Sequence, residues 1–576
     1  MTSTAPMRVT WRASLARAQG EVADLADRVR ALHGFARLAA AMASGALSVL
    51  SFAPVYFVPV LGLTLPVLVW LMDGVAAAPG AGPRAVRTAA RPAFVVGWGF
   101  GFGFFLAGLY WIGNAFLVDS DTFGWMIPFV AVLLPGALAL FPALALAAVC
   151  FVWAPGWPRI ALFAVAFAAN EYLRGHVLTG FPWNLMGYAW GSTLPVLQLA
   201  ALIGAYGLSF LTVLGAASFA LIGDRTGGHT RLLPLAALVF FALVGVWGLV
   251  RLDTHPPAAT PGVRLRLVHA ALDQRDIENP ALRGAIFAHY IALSERAGLP
   301  SRTIVIWPEA AVPFVLSREP KALSAIGDML PPKTVLITGA PRLENAPDST
   351  DYKVFNSLHA IDSAGRIIAT YDKTHLVPFG EYLPLAPLLE RIGLAQLAGS
   401  LGGFSPGSGL RTLSVPDAPA FGPLICYEVI FPGDVTEAGV RPFWLVNVTD
   451  DSWFGSGAGP RQHFDSARMR AIEEGLPLVR VANKGFSAIV DPFGRIVAKS
   501  GLDDVGVLDG DLPQFKSRAF YGRFGDVAAG FLVASVLGLG LAFRSKTATD
   551  YHLDLRRGAG HPISSSPPLT LTKSTT

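Results

Sequence analysis

Charge is what this sequence is short of. Only 15% of its 576 residues are Asp, Glu, Lys or Arg, against about 25% in soluble globular chains. With 53% hydrophobic residues and a mean hydropathy of +0.49, that depletion argues against a wholly soluble protein. Cysteine is scarce too. Cys150 and Cys426 are the two present, and two thiols so placed make no disulfide framework. Cys150 lies in an apolar run and reads as a small buried hydrophobe. There is no Gly-rich phosphate loop and no Cys/His spacing of the zinc type, so neither nucleotide nor metal chemistry has a motif here. No cleavable leader is expected at the N-terminus. Residues 1–36 mix arginines at 8, 12, 17, 28 and 30 with acids, too long and too polar for the start of a signal peptide. They read as a cytoplasmic extension before an uncleaved first span. The net charge of +5 is small. It fits arginines in cytoplasmic loops better than a nucleic-acid site.

Long apolar runs are what the sequence has in plenty. A helix needs about 20 residues to cross a hydrocarbon core. Eight candidate spans fall near 38–53, 55–72, 93–116, 125–153, 157–173, 194–222, 233–251 and 526–543. With the N-terminus inside, the cytoplasmic connections hold Arg84, Arg87, Arg91, Arg159, Arg225, Arg231, Arg544 and Lys546. The opposite connections hold Asp119 and Asp121, then Glu171, Arg174 and His176. This positive-inside pattern puts the chain after the seventh span outside. Trp125, Trp183 and Trp190, near span ends, read as interfacial anchors, with Phe181 and Trp183 as alternative contacts for a lipid substrate.

Residues 262–515 are different material, with ordinary charge content and the size of one domain. Strands are expected at Val263–His269, Thr303–Trp307, Thr334–Thr338, Ile367–Tyr371, Leu424–Ile425, Trp444–Val448 and Ala488–Val490. Helices are expected at Pro280–Ala297 and His463–Glu474. Asp362–Arg366 and Asp491–Arg495 each read as a hairpin turn. The expected organisation is an extension (1–36), a seven-helix membrane domain (37–252), an α/β domain (262–515), a last span (526–543) and a disordered cytoplasmic tail (547–576).

Three titratable residues each follow a strand-like run: Glu309, Lys373 and Cys426. Sites in open α/β sheets gather at the carboxyl ends of strands, so the three can converge. Nucleophilic acyl transfer suits them. A carboxylate in reach takes the thiol proton, a role for Glu309. An ammonium beside the thiolate lowers its pKa and stabilises an oxyanion, a role for Lys373. The backbone N–H of Tyr427 is a further oxyanion donor. Glu381 and Glu428 are additional carboxylates. Taken singly, each has a bland reading: a Cys after a strand is usually packing, and a Lys or Glu at a strand end is usually solvated. His375 beside Lys373 fits a structural hydrogen bond better than catalysis. Ser452 and Ser487 have no His/Asp arrangement visible in sequence.

The flanks are more specific. Trp307-Pro308-Glu309, the run Tyr371–Tyr382 and Ile425-Cys426-Tyr427-Glu428 closely resemble the nitrilase-like (carbon–nitrogen hydrolase) superfamily. The spans narrow the resemblance to the bacterial apolipoprotein N-acyltransferases. Asn447–Phe454, Ala482–Gly485, Tyr521–Asp526, Glu171–Gly175 and Thr179–Trp183 are similar to that family as well. The resemblance covers roughly residues 38–545. It implies an αββα sandwich beside a bundle of about eight transmembrane helices, in the bacterial inner membrane, with the catalytic domain facing the periplasm. It implies an acyl chain taken from a phospholipid onto Cys426 as a thioester, then passed to the N-terminal amine of a diacylglyceryl apolipoprotein. Glu309 would be the base, Lys373 the oxyanion stabiliser and Glu381 a supporting carboxylate. No metal or organic cofactor, no nucleic acid and a monomer are expected. One departure stands out. The Lys-Trp that usually follows the first strand in the family is replaced near Arg275–Glu278, which bears on selectivity more than on chemistry at Cys426.

Two other readings use the same residues. A membrane-tethered amidase would let water attack the thioester, though one anchor would suffice for tethering. A non-enzymatic scaffold would have no need of Glu309, Lys373 and Cys426. The apolar, glycine-ended stretch Ala386–Gly403 is a candidate lid that dips into the membrane.

Overall fold

The computed structural model describes residues 5–76, 83–225, 228–345, 352–384, 391 and 403–558. The candidate lid therefore lies, but for Arg391 and Gly403, outside the described residues. Among the described residues, six helices are long and apolar enough to cross a membrane. They are Gly34–Ser51, Arg87–Gly108, Ser120–Val152, Ala200–Gly223, Gly228–Asp253 and Val527–Arg544. The other two expected spans differ in kind. Val58–Asp73 is apolar but shorter, since the run breaks at Pro54. Trp157–His176 carries Arg159, Glu171 and Arg174 within 20 residues.

Three boundaries move. The third span ends at Gly108 rather than near 116. The chain there turns as a 3-10 segment, Tyr110–Leu117, to meet the second half of the protein. Trp111 donates to Gln462 and Asn114 to the Phe454 carbonyl. The expected run 194–222 is interrupted at Gly204, whose φ of 67° breaks the helix Ala200–Ser218. A Cβ at Gly204 would sit 2.2 Å from the Tyr521 ring, so glycine is required by space as well as by conformation. The last helix runs on to Gly558. Residues 541–557 contain neither glycine nor proline to stop it, so 547–558 is helical and not part of a disordered tail. Residues 559–576 lie outside the described part. The N-terminal extension contains a helix, Ala5–Arg30. Arg30 at its end pairs with Asp73 at 3.3 Å and Asp224 at 3.0 Å.

Among the described residues, eleven strands form two sheets: β1 (Ala259–His269), β2 (Thr303–Ile306), β3 (Val335–Asn345), β4 (Tyr352–Asp362), β5 (Ile367–Asp372), β6 (Phe421–Ile425), β7 (Trp444–Asp450), β8 (Leu478–Asn483), β9 (Ala488–Val490), β10 (Ile496–Lys499) and β11 (Gly506–Pro513). One sheet runs β11-β1-β2-β3-β4-β5, the other β10-β9-β8-β7-β6. The two expected turns join antiparallel pairs, β4 to β5 and β9 to β10. Strands β4, β8, β10 and β11 were not among those expected.

Alternation along the strands builds the layers. Ile304, Ile306, Ile337, Val446, Val448 and Val481 point between the sheets into one core. Val305 and Leu336 point the other way, under the helices Arg283–Glu295 and Pro320–Met329. On the outer face of the second sheet lies the helix Ala458–Glu474, which starts five residues before the expected His463. It packs between the sheet and the membrane helices in one continuous core. That helix is buried on every face, and its polar side chains meet partners on both sides.

Candidate active site

Glu309, Lys373 and Cys426 each follow the end of a strand: β2, β5 and β6 respectively. The pleat decides that these ends converge. β2 and β3 run parallel, β5 points the same way as β3 across β4, and β6 is parallel to β7 in the facing sheet. A hydrogen bond ties the two sheets at this edge: the N–H of Asp450, at the end of β7, donates to Glu309 Oε2 at 2.9 Å. Gly339 on β3 lies under the Glu309 backbone. A Cβ there would be 2.8 Å from Glu309 Cα, closer than packed atoms approach.

Lys373 is 1% exposed and sits between two carboxylates. Its Nζ is 2.9 Å from Glu381 Oε1 and 3.4 Å from Glu309 Oε1. Burial pulls its pKa down, but Glu381 and Glu309, with Cys426 behind them, outweigh burial and raise it. Lys373 is therefore a permanent cation. Cys426 goes the other way from expectation. Burial and the Glu309 carboxylate push its thiol well above the ordinary value, and the pull of Lys373 does not reverse this. A shift in this direction favours the neutral thiol, and attack by Sγ would require a base to take its proton. Cys426 also holds a φ of 50°, a strained left-handed conformation for a side-chain-bearing residue.

The supporting carboxylates divide their work. Glu381 Oε2 accepts the Val377 N–H at 2.8 Å, closing its own loop around Lys373. Glu428 does not face the reacting atoms. Its Oε2 accepts the Ile425 N–H at 2.7 Å, while Oε1 accepts from Tyr371 at 2.8 Å and from the Thr374 and His375 N–H groups at 2.7 and 3.1 Å. It thus clamps the turn after Lys373 to the strand before Cys426. The Tyr427 hydroxyl donates to the Gly180 carbonyl at 2.9 Å, a bond to the membrane half. His375 has the structural place expected: its Nε2 is 2.6 Å from the Thr179 carbonyl and its ring stacks on Phe431.

Several residues were missed from sequence. Asn356 on β4 donates through Nδ2 to Glu309 Oε1 and Glu381 Oε1, both at 2.8 Å. Its signal was a polar side chain in the middle of a strand that had not been recognised. His463 Nε2 lies 3.3 Å from the Cys426 carbonyl, and its Nδ1 is 2.9 Å from Asp451. Arg480 reaches the other oxygen of Asp451 at 2.7 Å, and this pairing holds Asp451 down at about 2 despite burial. Ser487 does have a histidine neighbour, His269 at 2.8 Å, but both are buried and Ser487 also accepts the Ala482 N–H. Trp183 is 2% exposed and donates to Gln462 at 2.8 Å, so it is a seam residue and not an interfacial anchor. Trp190 is tied to Thr212, whereas Trp125 is exposed as an anchor would be.

A cavity of about 500 Å³ opens beside this site. It lies between the end of the helix Trp157–His176 and the turn after Lys373, lined in part by Leu178, Tyr206, Thr374, Leu376, Tyr382 and Phe431.

The first half of the chain matches the family model for the apolipoprotein N-acyltransferase N-terminal domain over residues 44–218. The second matches carbon–nitrogen hydrolase over residues 280–520. The class so defined is a carbon–nitrogen hydrolase fold built onto a helical membrane unit. Among solved structures, Saccharomyces cerevisiae Nit3, a member of branch 10 of the nitrilase superfamily, is 19% identical. That match covers 48% of this chain and 97% of that one, with a TM-score of 0.31. An apolipoprotein N-acyltransferase from Rhodopseudomonas palustris is 45% identical over 90% of this chain and 98% of its own length. One from Brucella melitensis is 43% identical over 87% of this chain and 94% of its own. The chain belongs to the apolipoprotein N-acyltransferase family.

Proposed function

We propose that this chain acylates the N-terminal amine of the diacylglyceryl-cysteine of apolipoproteins, taking the acyl chain from a phospholipid through a thioester on Cys426. The observation that carries the mechanism is the buried Lys373 cation held between Glu309 and Glu381 at the strand ends where Cys426 sits.

Glu309 takes the thiol proton as Sγ attacks the ester carbonyl of the phospholipid. The carbonyl oxygen becomes an oxyanion, and the Lys373 ammonium and the Tyr427 N–H stabilise it. Collapse breaks the bond to the glycerol oxygen, which leaves with the proton from Glu309 as the lysophospholipid hydroxyl. The lipoprotein amine then attacks the thioester and gives a proton to Glu309. The sulfur leaves and is reprotonated, and the product is an amide. Glu381 orients Lys373, and Glu428 holds the turn that carries it. The cavity lined by Leu178, Leu376 and Phe431 suits an acyl chain.

In this reading residues 262–515 are the catalytic domain and face the periplasm, 37–252 and 526–543 are embedded in the inner membrane, and 1–36 and the C-terminal tail are cytoplasmic. The positive-inside arginines support that orientation. One chain contains every residue the mechanism uses, which supports a monomer.

The test uses the full chain in detergent and a phospholipid with an alkyne-tagged acyl chain. Wild type is expected to acquire a hydroxylamine-labile mass that clears when a diacylglyceryl peptide is added, and Cys426→Ala to acquire none. An unlabelled wild type of native fold would sink the phospholipid donor and favour an amidase.

A further inference from the structure

A second cavity, of about 190 Å³, lies where the end of the helix Leu233–Asp253 and the linker before the helix Val527–Gly558 meet the α/β unit. Arg251, His255, Lys516 and Arg518 line it, beside Leu202 and Phe520. It shares no lining residue with the cavity next to Lys373. Its chemistry is one-sided, since no acid is among its lining residues. The acids that flank its walls are already engaged: Asp491 by Arg495 at 2.8 Å and Glu474 by Arg441 at 2.9 Å. Asp253 is exposed and outside the lining.

Two of the cations, Arg251 and Arg518, are held in place by neutral partners. Arg251 donates to the Gln198 side-chain oxygen, and its guanidinium lies 4.8 Å from the centre of the Phe493 ring. Arg518 is oriented by a bond from Nε to the Gly522 carbonyl at 2.6 Å. The surroundings are apolar and open. Leu202 and Phe520 in the wall are 38% and 46% exposed, and Leu249, Val250 and Phe524 nearby are exposed as well.

Three cations with no acid among the lining residues, at the ends of two apolar helices, fit a phosphodiester at headgroup depth. Guanidinium groups bind phosphate oxygens through paired N–H donors. The volume is below the roughly 300 Å³ of a site that encloses a drug-sized ligand, so acyl chains would lie outside, along the exposed Leu, Val and Phe side chains. A zwitterionic headgroup would bring its own ammonium against the same cations. We propose that Arg251, Lys516 and Arg518 bind the phosphate of an anionic phospholipid at a site separate from Cys426. The site does not depend on the acyl-transfer reading, because binding there requires no reaction.

The experiment uses the full chain with Cys426→Ala, so that no lipid is consumed, and counts retained phosphatidylglycerol by native mass spectrometry. One tightly retained phosphatidylglycerol is expected, with phosphatidylcholine held weakly. At the worth of a surface cation near an anionic headgroup, Lys516→Gln should weaken retention about fivefold and Lys516→Gln with Arg518→Gln about 30-fold. Both side chains are exposed, so unfolding temperatures should match the parent and separate lost binding from lost fold. Equal retention by parent and variants would overturn the proposal. So would displacement of the lipid by inorganic phosphate at the lipid's own affinity, which would assign the pocket to free phosphate.

Discussion

At the scale of single residues, the site is an arrangement of like charges kept apart by two devices. The Lys373 ammonium lies between Glu309 and Glu381, and the Asn356 amide gives a hydrogen to each. A hydrogen bond to a charged group contributes about 1.5–3 kcal/mol. Asn356→Ala should therefore lower the rate of thioester formation about 10- to 100-fold with little change in KM. Asn356→Asp should be worse, because it adds a third carboxylate. Single-turnover labelling with the tagged phospholipid measures both, and an unchanged rate in the alanine variant would remove Asn356 from the machinery. Asp450 offers a test through pH. Burial raises its carboxyl to about 7. The folded state then holds its proton more tightly than the unfolded chain does. Stability from this group falls as pH rises from near 4 to near 7, and is flat above. Asp450→Asn removes that loss. Its unfolding temperature should exceed the parent's at pH 8, by about 2–4 °C for each kcal/mol recovered in a domain of this size, and the gain should vanish near pH 4. A variant less stable at both pH values would show that the carboxylate itself is needed.

At the scale of elements, the helix Ala458–Glu474 does the joining. Gln462 takes the indole hydrogens of Trp111 and Trp183 from the membrane half, while His463, the next residue, reaches Asp451 and the Cys426 carbonyl. Further along, Glu473 accepts the Ala205 N–H at 2.6 Å, the donor freed where Gly204 breaks its helix. The break and the acceptor belong together: a membrane helix interrupted in mid-course needs its open backbone satisfied. Gly204→Ala should destabilise the protein by at least ~1–3 kcal/mol, from the left-handed φ alone, with the Tyr521 ring adding a clash. Glu473 also pairs with the buried Arg470 at 3.0 Å, so Glu473→Gln, which keeps the acceptor but loses the pair, should unfold below the parent, and Glu473→Leu, which loses both, lower still. Scanning fluorimetry in detergent distinguishes these, and equal temperatures for Gln and Leu would show that Ala205 does not rely on this side chain.

At the scale of the whole molecule, two units of different composition share one continuous core. The membrane helices and the outer face of the second sheet pack against the same helix, which reaches the Cys426 carbonyl through His463. Orientation then follows for the molecule as a unit. Both native cysteines are buried, which allows engineered ones to report. In intact cells with a permeable outer membrane, Lys333→Cys should react with an impermeant maleimide, and Arg87→Cys should react after lysis only. The reverse pattern would invert the topology and with it the assignment of a periplasmic catalytic domain.

Much of this was written in local patterns. Long apolar runs mark helices whatever their neighbours, because a helix satisfies its own backbone. Strands such as Thr303–Ile306 and Trp444–Asp450 are legible because buried parallel strands are runs of β-branched and aromatic residues. Glu309, Lys373 and Cys426 stood out by what flanks them. The polar middle of β4 and the hydrophilic helix Ala458–Glu474 did not, since no local pattern says that Asn356 will face two carboxylates or that His463 will be buried. Their partners lie in other segments, 25 and 47 residues away for Asn356 and 37 for His463 at Cys426. The same holds for the direction of the Cys426 shift. Proximity to a lysine predicts a lowered pKa, and the depth of burial together with Glu309 overrides it. Sequence alone marked the long apolar segments, seven of the eleven strands and the side chains proposed to react. The tertiary structure decided which polar groups lose water and what they face instead, because desolvation and hydrogen bonding act between segments that are distant in the chain.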